Sequence, residues 1–189
     1  RDLRMSRGLG DVYKRQAAMD SVYSLLFDKE NKLIRLLYPP FDADEQSPGY
    51  IKGYVPGIRE NGGQYTHAAV WASIGFLSGD ENDRGAETLF AINPAVRYED
   101  AALAEKYKIE PYVLAGDVYT NPFHAGRGGW SWYTGSAAWL YLVILEEFLG
   151  FSVRNYGKDG SAELLLNPSV PQEWNEYTIE FLYKETLYV

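Results

Sequence analysis

A mainly helical domain with a small β region at its C-terminal end is predicted by three features of the 189-residue sequence. Residues 17–150 carry apolar residues at helical spacing, broken by long Gly-rich connections. The uncharged run from Ser136 to Ile144 opens the clearest helix, and Gly150 stands where that helix should close. Beyond it the period shortens to two: Tyr177, Ile179, Phe181 and Tyr183 alternate with Thr178, Glu180, Leu182 and Lys184, the mark of a strand. Helices followed by terminal strands divide the chain into a helical body, 17–150, and a β appendage, 151–189.

The elements follow in order. Residues 1–16, RDLRMSRGLGDVYKRQ, begin with Arg, are rich in basic residues and lack the apolar core of a signal peptide. They read as a non-native cloning remnant, or as a basic linker from a preceding domain, and are set aside; on either reading the chain is expected to be a fragment. Ala18, Val22, Leu25 and Leu26 fall on one face of a first helix, and Pro39-Pro40 and Ser47-Pro48-Gly49 mark the loop beyond it. A second helix is expected over 64–76, with Tyr65, Ala68, Ala69, Ala72 and Phe76 as its buried stripe. A third, 84–92, should stop at Asn93-Pro94, and a short fourth covers 101–107. The helix over 136–149 should be buried on most sides, because its first nine residues carry no charge. A short apolar run over 163–166 ends at Asn167-Pro168.

Composition excludes several functions. With 46% apolar residues the chain is not disordered, and a net charge of −8 argues against nucleic-acid binding through a basic surface. Without cysteine there is no disulfide framework, thiolate zinc site or thiol nucleophile, which fits a cytoplasmic location. Two histidines, His67 and His124, make no compact zinc set. No GxSxG elbow, P-loop or dinucleotide fingerprint occurs. The pairs Asp42/Asp44 and Glu146/Glu147 sit on a solvated loop and near a helix C-terminus, poor places for acid/base work. No apolar run is long enough to span a bilayer.

Two long loops remain as the seats of chemistry. In 54–67, Arg59, Glu60 and Asn61 place a cation, an anion and an amide beside Gly62-Gly63, and Gln64 and His67 follow at a helix start. Either the loop is a capped helix entry with a local ion pair, or it brings polar groups and free helix N–H donors to a ligand. In 117–136, Tyr133-Thr134-Gly135-Ser136 runs directly into the apolar helix. Thr134 or Ser136 caps that helix, or the Thr134 hydroxyl and the following N–H groups receive an oxyanion. Trp130 and Trp132 lie in the loop, where tryptophan faces can stack on sugars, and Trp139 belongs to the helix core.

Three long segments, GYIKGYVPGIRENGGQYTHAA (49–69), YKIEPYVLAGDVY (107–119) and GRGGWSWYTGSAAWLY (126–141), resemble the C-terminal part of glycoside hydrolase family 94. That family groups cellobiose, chitobiose and 1,2-β-oligoglucan phosphorylases with the phosphorylase-like domain of cyclic β-1,2-glucan synthases, and the first segment is closest to the β-1,2-glucan branch. The resemblance implies the later helices of an (α/α)6 barrel followed by a small β-domain. It implies inverting phosphorolysis of a β-glucan or cellobiose-type oligosaccharide, with inorganic phosphate as co-substrate and no cofactor or metal. Matching positions assign phosphate to His67, Thr134 and Gly135, and sugar hydroxyls to Glu60. Arg59, Asn61, Gln64, Trp130 and Trp132 are the further substrate-binding candidates. The general acid is an aspartate in a Gly-Asp-Trp-Asn-like motif absent from this chain, so the fragment alone is expected to be inactive. The resemblance also admits a parent membrane-bound through other domains, and a homodimer. The alternatives are a non-catalytic carbohydrate-binding module and an inverting hydrolase on the same barrel.

Overall fold

The computed structural model describes residues 9–42, 48–132, 134–155 and 162–189, so Asp44 and Tyr133 lie outside the described residues. The order is helix α1 (Leu9–Ser21), a π-helical turn (Val22–Leu26), strands β1 (Phe27–Asp28) and β2 (Leu33–Ile34), a 3-10 turn (Gly49–Gly53) and β3 (Gln64–Tyr65). Helices α2 (Thr66–Leu77), α3 (Asn82–Ile92), α4 (Pro94–Arg97) and α5 (Ala101–Tyr107) follow, then β4 (Asp117–Val118) and α6 (Thr134–Leu142). A π-helical segment (Val143–Phe148) leads into β5 (Phe151–Asn155), β6 (Ala162–Leu166), β7 (Phe181–Tyr183) and β8 (Thr186–Tyr188). The described residues are mainly helical, and each sheet is a two-stranded antiparallel ladder.

The first helix runs across the boundary drawn at residue 16, beginning at Leu9. Of its expected apolar face, Val22 and Leu26 pack against the core, whereas Ala18 and Leu25 stay exposed. The helical turn widens at Val22, and the wider turn rotates Leu25 outward. The second helix starts at Thr66 rather than at residue 64, because Gln64 and Tyr65 are taken into β3. The third and fourth helices stand where the spacing places them. Asn93 caps α4 by accepting the Ala95 N–H at 3.0 Å, and Asp100 caps α5 at Ala102 and Leu103.

The main core forms between α2 and α3, where Val70, Leu77, Ala86, Leu89 and Ile92 meet Phe27, Ile34, Val143 and Phe148. Ser73 and Thr88, fully buried, satisfy each other across the two helices at 3.1 Å. A second small core joins Leu33, Tyr107, Ala115 and Val118 under the loops. Beside it the buried Arg97 donates to the carbonyls of Asn31 and Lys32 and lies over the Tyr107 ring at 5.0 Å. Burial without a carboxylate partner among the described residues pulls its pKa down to about 10.

Helix α6 is less covered than its composition predicts. It packs on α2 through Leu140 and continues into Val143 and Phe148, but Trp139, Tyr141 and Leu142 stay exposed. Among the described residues no further element covers that face.

Gly150 closes the segment with φ +67° and accepts the Asn167 N–H at 2.9 Å, one rung beyond the Phe151–Leu166 pair, while the Ser169 N–H donates to the Phe148 carbonyl at 2.9 Å and docks the hairpin exit on the helix end. Trp174 adds ring contacts to Phe90 and Phe148, and the Tyr177 hydroxyl donates to the Leu149 carbonyl. The alternation over 177–184 holds in burial, with Tyr177, Ile179, Phe181 and Tyr183 turned inward, although only Phe181–Tyr183 pairs as a strand. A Cβ at Gly150 would lie 2.1 Å from the Asn167 carbonyl carbon, and a left-handed backbone already disfavours it. Gly150→Ala is therefore expected to lower stability by at least about 2 kcal/mol. The midpoint of urea unfolding measures this; an unchanged midpoint would mean that the appendage does not dock as described.

Candidate functional site

The two long loops are clasped by backbone hydrogen bonds. The Gly57 carbonyl accepts from the N–H groups of Thr120 and Asn121, the Thr120 hydroxyl donates to Gly62, and the Asn121 amide donates to Pro56. Strands β3 and β4 then pair Gln64 with Val118 and Tyr65 with Asp117. Side chains alternate along a strand, so one pair turns inward and the other outward. Gln64 and Val118 are buried in the scaffold. Tyr65 and Asp117 line an open cavity of about 510 Å³ with Leu36, Tyr50, Ile51, Arg59, Glu60, Gly116 and Trp130.

That parity sorts the expected residues. Arg59, Glu60 and Trp130, drawn from two separate loops, come together at the cavity. The Arg59 guanidinium lies 5.3 Å from the centroid of the Trp130 ring. Arg59 holds this position with φ +48°, a left-handed conformation that costs an ordinary residue about 1–2 kcal/mol. Glu60 Oε2 is buried without a hydrogen-bond partner.

Asn61 and Gln64, expected at the substrate, turn their amides to the scaffold. Asn61, with no exposed surface, donates to the carbonyls of Phe41 and Tyr54 and accepts the Phe41 N–H. Gln64 accepts the Ile34 N–H at 2.9 Å and donates to the Thr66 hydroxyl. Trp132 stands apart from the cavity, exposed and edge-on to Tyr112 at 6.3 Å.

His67 occupies the first turn of α2, which has no side-chain cap at Tyr65. Its ring sits among Tyr65, Trp71 and Trp139, at centroid distances of 6.1, 4.8 and 6.1 Å, and its Nε2 is buried without a partner. Trp139 lies in the middle of α6, so that helix is packed against α2 beside His67. Thr134 is the first residue of α6, and its side chain lies outside the described residues; Gly135 is exposed. Tyr65 connects the two halves, lining the cavity on one side and stacking with His67 on the other.

Asp117 and Tyr65 were not singled out as site residues from the sequence. Asp117 marks only the start of a loop there, and Tyr65 reads as a core residue of a helix. The available signal was a lone carboxylate inside the apolar stretch VLAGDV. Among the described residues no cluster of three or more His, Asp or Glu could hold a metal ion, and no helix is long and apolar enough to cross a membrane.

Residues 3–150 match the family described as "Glycosyl hydrolase 94 superfamily, catalytic domain". Over 173 residues the chain is 44% identical to the cyclic beta-(1,2)-glucan synthase NdvB of Rhizobium meliloti (strain 1021), a match covering 92% of this chain and 6% of that protein. It is 27% identical over 156 residues to a solabiose phosphorylase of Paenibacillus borealis, covering 81% of this chain and 19% of the relative. It is 24% identical over 183 residues to an N,N'-diacetylchitobiose phosphorylase of Vibrio proteolyticus, covering 96% and 21%. The chain thus spans a fifth or less of the synthase and of the solabiose phosphorylase, and about a fifth of the chitobiose enzyme.

Asn61→Ala strips two carbonyls and one N–H of their partner and should cost about 2–4 kcal/mol of stability. Trp130→Ala removes an exposed ring and should shift stability by less than about 0.5 kcal/mol. Unfolding midpoints of the two variants check the division; a larger loss for Trp130 would place that ring in the core.

Proposed function

The chain belongs to the Glycosyl hydrolase 94 superfamily, and from that membership we propose that its parent protein cleaves β-glucosidic linkages by inverting phosphorolysis. The observation that carries this reading is an aromatic-walled cavity holding Glu60 beside an uncapped helix start holding His67. The cavity takes the sugar and the helix start takes the phosphate. One phosphate oxygen bonds to the anomeric carbon as the glycosidic C–O bond breaks. The bonding pair stays with the leaving oxygen, which takes a proton from a general acid. An inverting hydrolase needs a second carboxylate to activate water. Phosphate is already a nucleophile, so one acid and an anion site suffice, and no cofactor is required.

In this reading the general acid is an aspartate outside the chain, and this segment alone is inactive. His67 Nε2 donates to phosphate together with the Thr134-Gly135 start of α6, where two helix N-termini add their partial positive charge. Glu60 accepts sugar hydroxyls. The likeness to the glucan synthase favours a β-1,2-glucan as substrate. The helices then form the later part of an (α/α)6 barrel, in which the exposed face of α6 meets neighbouring helices.

In the parent protein, glucan cleavage should require inorganic phosphate and release a sugar 1-phosphate. His67→Ala should raise KM for phosphate about tenfold or more, with a smaller change for glucan. Glu60→Ala should do the reverse, because a carboxylate accepts hydroxyls and repels phosphate. Cleavage at full rate without phosphate would identify a hydrolase on the same scaffold. Glucan binding without any cleavage would identify a binding module.

A further inference from the structure

Asp117 is only 6% exposed. Its Oδ1 accepts the Trp130 backbone N–H at 2.7 Å, while its Oδ2 is buried with no hydrogen-bond partner. The ladder register fixes where the side chain stands: Asp117 lies directly opposite Tyr65, on the face that lines the cavity. The neighbouring backbone is shaped around it. A Cβ at Gly129 would fall 2.6 Å from Asp117 Oδ1 and 2.5 Å from the Tyr119 hydroxyl, so a larger residue in this loop would have to displace the carboxylate or the phenol from its present place.

A buried carboxylate oxygen without a donor is costly, and proteins keep such groups where a ligand or water supplies the donor. Glu60, another residue of the cavity wall, likewise has one carboxylate oxygen, Oε2, buried without a partner. Ionised carboxylates only accept hydrogen bonds, so the ligand must bring donors. The rings of Trp130 and Tyr65 in the same wall ask for an apolar face as well. A pyranose has both: hydroxyl donors around its rim and C–H groups on its faces. The volume of about 510 Å³ lies within the range of small-molecule pockets, roughly 300–1,000 Å³.

We propose that Asp117 is a second sugar-binding carboxylate, which with Glu60 holds the hydroxyls of one pyranose against Trp130 and sets the hydroxyl pattern that the site accepts. This rests on the carbohydrate reading of the cavity and adds a specificity-determining residue to it.

Asp117→Asn in the parent protein keeps Oδ1 for the Trp130 N–H and replaces Oδ2 by a donor. KM for the glucan should rise about tenfold to a hundredfold, with KM for phosphate and Tm unchanged. Among monodeoxy oligosaccharides, the parent should discriminate against loss of one particular hydroxyl, and Asp117→Asn should no longer do so. A merely structural residue would not erase one hydroxyl preference. An unchanged glucan KM, an equal rise for phosphate, or a lowered Tm with the hydroxyl preference intact overturns the proposal. Should the parent cleave no glucan, the phosphorolysis reading fails, and calorimetric binding of a β-1,2-linked glucan oligosaccharide still decides Asp117. Weaker binding by Asp117→Asn supports its role; equal binding, or binding by neither protein, overturns it.

Discussion

Four residues carry the geometry of this segment: Gln64 and Tyr65 of β3 paired with Val118 and Asp117 of β4. The ladder is two residues long, yet it joins loops that are more than fifty positions apart in the chain. Because neighbouring side chains in a strand point to opposite faces, it sends one pair into the scaffold and one into the cavity. A slip of one residue would exchange them, turning Asp117 into the scaffold and Gln64 toward the cavity. The register is pinned from both sides. Gln64 accepts from Ile34 in β2, the Thr66 N–H donates to the Gly116 carbonyl, and Gly116 donates to Trp130. The site is thus held by the backbone of three short segments rather than by a large sheet.

What that framework supports is locally unfavourable. Arg59 sits in a left-handed conformation, and the outer oxygens of Glu60 and Asp117 and the Nε2 of His67 are buried without partners. Each carries a cost of order 1–3 kcal/mol. These costs gather at the cavity and at the adjoining start of α2, while the amides of Asn61 and Gln64 nearby are satisfied by the scaffold. Clustering of unmet polar groups in a concave, aromatic-walled place is what a ligand site requires before its ligand arrives.

Much of this was legible in the sequence. Helical spacing located α3 and α5, and Asn93-Pro94 and Gly150 marked true boundaries, because capping chemistry is local. The two loops stood out by their glycines and aromatic residues, and the structure clasps them together. Parity was not legible. A helix start at residue 64 and a strand start at the same place put Gln64 and Tyr65 on different faces, and only long-range pairing with Asp117–Val118 decides between them. The same gap concealed Asp117, whose partner in the ladder lies 52 positions away. The apolar helix α6 misled in the other direction: composition says that Trp139, Tyr141 and Leu142 seek cover, but not which segment gives it.

The most direct measurement is a crystal structure of the parent protein with a β-1,2-linked glucan oligosaccharide and phosphate bound. One pyranose should lie against Trp130, with separate hydroxyls within hydrogen-bond distance of Glu60 Oε2 and Asp117 Oδ2, and the anion should meet His67 Nε2 and the first turn of α6. A sugar bound elsewhere, with the Asp117 and Glu60 oxygens facing water or protein donors, would contradict the account.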